Sequence, residues 1–216
     1  MSSFLIILQQ ELKLSLVNSG KIFTNFLFFI ILSSIFTILS KNFAIPENNG
    51  DYLISIILFC LISSSIFTNS SFLQEDFEDG TLEQIARKVE NLESYILAKI
   101  LNNFIINNLP IILSAPFIIS LNNIELNLAN LTITLFLTSL TINFISCLSG
   151  SLSTLKNSAP ISAVIMLPLI IPVLILSFNQ ISAPNSNLMP TLVAIAILSV
   201  SLATLAASKI TKITLE

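Results

Sequence analysis

Glu75, Asp76, Glu78 and Asp79 crowd four carboxylates into five positions, and Glu83, Arg87, Lys88, Glu90, Glu93 and Lys99 follow close behind. These ten residues are almost half of the 21 charges in the chain, so the stretch 75–99 cannot lie in hydrocarbon and must sit in water between two membrane spans. The chemistry open to it is electrostatic recognition: it offers a soluble partner something to grip. Leu82, Ile85, Ala86, Val89 and Leu92 recur at steps of three and four among the charges, which predicts an amphipathic helix. The acidic run suits the positive end of a helix dipole, and Thr81 with Gln84 has capping-box spacing. Gly80 permits a sharp turn into the helix, so Asp79 and Glu83 are expected to pin its start and Gly80 to set its angle. An ordinary solvated loop is the plainer reading, but it leaves the stripe and the two start signals without a reason.

Covalent chemistry has little to work with. The chain has no histidine, which removes imidazole base catalysis and His ligation of zinc or haem. Its four glycines, Gly20, Gly50, Gly80 and Gly150, cannot be written into a phosphate-cradling loop, so ATP hydrolysis is not expected from this chain alone. Cys60 and Cys147 fit no metal or redox spacing and read as small core residues. No catalytic residue and no metal ligand set is predicted. No carboxylate falls at mid-span depth, where an ion-coupled carrier needs one. The polar side chains within the apolar runs are mainly Ser, Thr and Asn. Of these, Asn103 and Asn107 are four apart on one helix face and are candidates for a polar path or for bonding between helices.

The elements that position these residues are membrane helices. Mean hydropathy is +0.91, with 54% hydrophobic and 10% charged residues, against about a quarter charged in soluble domains. Charge-free runs of 22–40, 52–74, 100–124, 126–155 and 157–208 are continuous rather than alternating, which favours helices over a barrel. The last run is long enough for two spans and is split by the turn-forming segment 177–187. This predicts an all-α integral membrane protein with six spans near 22–40, 52–73, 97–120, 128–150, 160–178 and 189–208, forming a single permease domain over 1–216. Pro110 and Pro116 in the third span and Pro168 and Pro172 in the fifth predict kinks.

Residues 1–20 lack the marks of a cleaved signal peptide. Leu5, Leu8, Leu12 and Leu16 are spaced to form the apolar face of a helix lying in the membrane interface. With both termini in the cytoplasm, that side carries Lys13, Lys21, Arg87, Lys88, Lys99, Lys156, Lys209 and Lys212, against Lys41 alone outside. That asymmetry sets the expected orientation, and the island at 74–96 is then cytoplasmic.

Residues 74–116, QEDFEDGTLEQIARKVENLESYILAKILNNFIINNLPIILSAP, resemble the corresponding stretch of the haem exporter B (CcmB) permeases of cytochrome c maturation. The likeness rests on the Asp79-Gly80-Thr81-Leu82-Glu83-Gln84 core, Leu97-Ala98-Lys99, Leu109-Pro110 and Ser114-Ala115-Pro116, with a second match at 167–174, LPLIIPVL. The chain departs from that pattern at Asn69-Ser70-Ser71, where the family often has an Arg, and at Asn103-Phe104, where it often has His-Trp.

The resemblance implies an exporter-type permease subunit of an ATP-binding-cassette complex in a bacterial inner membrane. Its island would be a coupling segment through which Glu75, Asp76, Asp79, Gly80, Leu82, Glu83 and Arg87 meet a separate nucleotide-binding ATPase subunit. The other implied partners are a haem-handling membrane subunit, a periplasmic haem chaperone, a second permease copy and membrane lipid, with no nucleic acid. No cofactor is implied for this chain alone; haem is cargo of the complex. Two other classes stand beside this one: an ATP-independent channel or carrier for a small apolar solute, and a scaffold that holds other membrane subunits together.

Overall fold

The computed structural model describes residues 3–17, 19–42, 49–69, 73–88, 92–122, 124, 126–154, 159–183 and 187–215. Every regular element among them is helical. In chain order these are α1 (Ser3–Val17), α2 (Ser19–Asn42), α3 (Asn49–Asn69), α4 (Gln74–Glu78), α5 (Thr81–Lys88), α6 (Leu92–Asn103), a π-helical segment (Phe104–Asn108), α7 (Leu109–Leu121), α8 (Leu128–Thr154), α9 (Ala159–Ser182) and α10 (Met189–Leu215). Helices satisfy their own backbone groups, the condition that a bilayer imposes on any segment crossing it. Each of the six expected spans overlaps a helix. Four are long and apolar enough to cross a membrane: Leu92–Leu121, Leu128–Leu152, Val164–Ser182 and Met189–Thr214. The described apolar stretches of α2 and α3 are shorter, Phe26–Ile35 and Gly50–Ser63.

The third rod is α6, the π segment and α7 in series. Its interruption falls just before Pro110, where the ring would strike the carbonyl four residues back in a regular helix. The wider π turn takes up the misfit, and the Leu109 N–H reaches back to the Phe104 carbonyl. Pro116, Pro168 and Pro172 sit inside α7 and α9 without ending them.

α8 is the central helix: 61% of its apolar window is buried, against 33% for α9 and for α10. Its buried positions mix apolar side chains with small polar ones, Thr134, Thr138, Ser139, Thr141, Ser146 and Ser149. Most of these hydroxyls return to their own helix, as Thr138 does to the Thr134 carbonyl at 2.7 Å and Ser146 to the Ile142 carbonyl at 2.7 Å. Small side chains with locally satisfied hydroxyls let neighbouring helices approach closely. Thr138 and Ser177 touch across α8 and α9 at 2.5 Å. Near the end of α9, Gln180 and Asn130 exchange hydrogen bonds, and Gln180 Oε1 accepts the Leu188 N–H at 2.7 Å, which holds the connection to α10.

One apolar core joins Phe29, Ile57, Leu61, Phe104, Ile111 and Leu135 among others, and it includes Cys60. A second gathers Leu73, Leu82, Leu92, Ile96, Ile100, Phe144 and Cys147. Both cysteines are free and buried.

Candidate coupling site

The second core holds the charged island in place. α4 ends at Glu78, Asp79 and Gly80 form the turn, and α5 begins at Thr81. Gly80 has φ +68°, a left-handed backbone that favours glycine, and its N–H donates to the Phe77 carbonyl at 3.2 Å. The Thr81 hydroxyl donates to the Asp76 carbonyl at 3.1 Å across the same corner, in place of the expected capping box with Gln84.

The acidic run therefore does not flank one long helix. Glu75, Asp76 and Glu78 lie within α4, because Gly80 breaks the helix after them. The apolar stripe divides as well: Leu82, Ile85 and Ala86 belong to α5, whereas Leu92 opens α6 and is buried there. Val89, Glu90 and Asn91 lie outside the described residues, as do the side chains of Glu75 and Arg87. On α5, Leu82 is fully buried, Ile85 and Ala86 are half-buried, and Glu83 and Gln84 are exposed. Burial of a leucine side chain stabilises by about 1.5–3 kcal/mol, so Leu82 anchors α5 to its own bundle and leaves Glu83 outward.

Asp76 points inward. Its Oδ2 accepts the Tyr95 hydroxyl at 2.7 Å and pairs with the Lys99 ammonium. Tyr95 and Lys99 stand one turn apart on α6 and so present both donors on one face, with the Lys99 nitrogen 5.9 Å from the Tyr95 ring centre. Glu11 of α1 is half-buried beside them. Burial raises its carboxyl above the ordinary 4.5; Lys99 pulls it down and Asp76 pushes it further up.

α1 meets α6 along Ile7, Glu11 and Ser15, spaced four apart. Ile7 packs on the second core, and Ser15 Oγ accepts the Asn102 amide at 2.7 Å. The predicted stripe on α1 behaves differently: Leu5 and Leu16 are exposed, while Leu8 and Leu12 are half-buried.

The two asparagines singled out from the sequence are joined in one ladder. Asn107 donates to Asn103 Oδ1, Asn103 donates to Asn143 Oδ1 at 2.9 Å, and Asn143 donates to the Ile100 carbonyl at 2.8 Å. These bonds tie the third rod to α8. Next to them Phe104 packs edge-on against Phe136, with ring centres 5.2 Å apart.

The profile of the CcmB protein family matches residues 2–213, nearly the whole chain. The chain belongs to the CcmB family. Similar proteins include the Heme exporter protein B of Haemophilus influenzae, 25% identical over 186 residues that make up 85% of this chain and 83% of the relative. Another is the Heme exporter protein B of Pseudomonas aeruginosa, 24% identical over 189 residues, 86% and 83% of the two chains.

In this CcmB-family chain the residues of the island thus separate into two groups. Glu78, Asp79 and Glu83 are exposed, while Asp76 and Leu82 are turned into the bundle. Sequence reasoning missed the inward group of Glu11, Ser15, Tyr95 and Asn102. The spacing of Tyr95 and Lys99 marks one helix face, but nothing local shows that Asp76 and Glu11 meet it. Among the described residues there is no cluster of acidic or cysteine side chains able to hold a metal.

Proposed function

We propose that this chain is the membrane permease subunit of an ABC-type complex serving haem export, or release of a haem-loaded chaperone, in cytochrome c maturation. The family match along residues 2–213 carries this reading, together with relatives named as heme exporter proteins. It has six spans in a bacterial inner membrane with both termini cytoplasmic, as the bias of eight cationic residues to one favours. α1 lies in the interface, and α4 and α5 form the cytoplasmic coupling segment. A separate nucleotide-binding subunit hydrolyses ATP and docks on Glu78, Asp79 and Glu83; a haem-handling membrane subunit, a periplasmic haem chaperone and a second permease copy complete the assembly.

The exposed acids beside a buried Leu82 anchor suit the transmitting role. A docked ATPase can push on α5, and its attachment carries the push into α6. The ladder Asn107–Asn103–Asn143 supports the same role, since these amides are engaged between helices. The test is affinity purification of the tagged chain after gentle solubilisation, with the copurifying subunits identified and their ATPase activity assayed. Recovery of a nucleotide-binding subunit, and loss of holocytochrome c when the chain is deleted, are expected. A complex without an ATPase, or full holocytochrome in the deletion strain, defeats the proposal.

A further inference from the structure

We infer that Lys99 is a positioning residue: its ion pair with Asp76 ties the coupling segment to the third rod, so that the two move together. The inference rests on the reading of α4 and α5 as the segment that receives the ATPase. Asp76 is central because it holds two elements at once. Its carbonyl accepts the Thr81 hydroxyl at the start of α5, and its carboxylate takes the Tyr95 hydroxyl and the Lys99 ammonium on α6. Asp76 therefore gives a displacement of α5 a directional polar route to α6.

The pair is not an ordinary surface salt bridge. The side chains of Lys99 and Asp76 are only 15% and 23% exposed, and removing one partner of a largely buried pair strands the other charge. One turn further along α6, Asn102 donates to Ser15 of α1 at 2.7 Å, a polar rung that joins α1 to the same helix. The apolar contacts around Leu82 also join these elements, but such contacts are non-directional and permit sliding. The polar rungs fix the register.

The experiment uses the tagged chain purified with its copurifying subunits, and it has two readouts. One is holocytochrome formed per ATP hydrolysed; the other is hydrogen-exchange protection of α4 and α5. Lys99→Met is expected to lower the first by roughly threefold or more without loss of subunits, and to expose α4 and α5. Lys99→Arg is expected to keep both. Reversing the pair, Asp76→Lys with Lys99→Asp, rebuilds the link to α4 with the charges exchanged. The double variant should therefore recover most of both readouts. An unchanged coupling ratio and unchanged protection of α4 and α5 in Lys99→Met overturn the inference, as does a double variant that recovers neither. If Lys99→Met fails to accumulate, the double variant decides, since it keeps a cation in the cluster. If no ATPase accompanies the unsubstituted chain, the proposed function fails; the protection readout still tests the tie.

Discussion

The Tyr95 hydroxyl donates to the Asp76 carboxylate at 2.7 Å across 19 positions of sequence, joining the start of the third rod to the short acidic helix α4. This contact turns Asp76 away from solvent and leaves Glu78, Asp79 and Glu83 to face outward. Island residues of the same charge thus have different roles, and substitutions should separate them.

Leu82 and Glu83 are adjacent on α5 and should fail in opposite ways. Leu82→Ala empties a fully buried site and is expected to cost about 2–5 kcal/mol, read as a lower unfolding midpoint in detergent. Glu83→Lys changes an exposed side chain. It should lower the midpoint far less than Leu82→Ala while reducing the nucleotide-binding subunit recovered with the chain. Paired reversal of Asp79 and Glu83 should uncouple ATP hydrolysis from cytochrome assembly.

Gly80 is held at φ +68° with open space where a Cβ would stand, so any penalty at this position comes from the backbone alone. Gly80→Ala should cost about 1–2 kcal/mol. Gly80→Asn should be milder, because Asn tolerates the left-handed region. Gly80→Pro both forbids that φ and removes the N–H that bonds to Phe77, and should abolish holocytochrome formation. Holocytochrome levels in the order Gly, Asn, Ala, Pro would agree with the geometry; normal levels in the Pro variant would contradict it.

The bond between Asn103 and Asn143 invites a double-mutant cycle. Each change to Ala leaves an amide without its partner, and the coupling energy should fall at roughly 0.5–2 kcal/mol, the range found for polar contacts between membrane helices. Additive single effects in a detergent-unfolding assay would mean that the amides act separately.

Glu11 should make the packing of α1 depend on pH. Burial raises its carboxyl above 4.5, against the opposing pull of Lys99 and with the added push of Asp76, so packed α1 binds a proton more tightly than released α1. The stabilisation from that proton is full below about 4.5 and is lost as pH rises through the raised value. Hydrogen exchange in α1 should therefore slow, relative to a Glu11→Gln reference, as pH is lowered from neutrality. Equal pH profiles for the two proteins would remove Glu11 from the interface.

Local features were legible in the sequence because they are properties of one element. Charge-free runs showed where helices form, since apolar length is written residue by residue. Gly80 marked the turn because only backbone freedom is needed there. A step of four put Asn103 and Asn107 on one helix face, but their bonds to each other and to Asn143 came only with packing. The break at 104–108 was half visible: Pro110 announced a distortion, but a π turn rather than a kink depended on how the rod packs. The acidic run reads from sequence as the flank of one helix, because charge alone does not tell a helix start from a separate short helix.

Tertiary structure alone decided which charges are inward. Asp76 and Lys99 are 23 positions apart, and Asn102 and Ser15 are 87 apart, so their meeting depends on helix crossings that no local period encodes. The same holds for α1, whose leucines mark an apolar stripe while Ile7, Glu11 and Ser15 make the contact with α6. Within a helix, 3.6 residues per turn fix which side chains share a face; which face meets which neighbour is settled only when the helices pack, because burial and pairing energies belong to the assembled bundle.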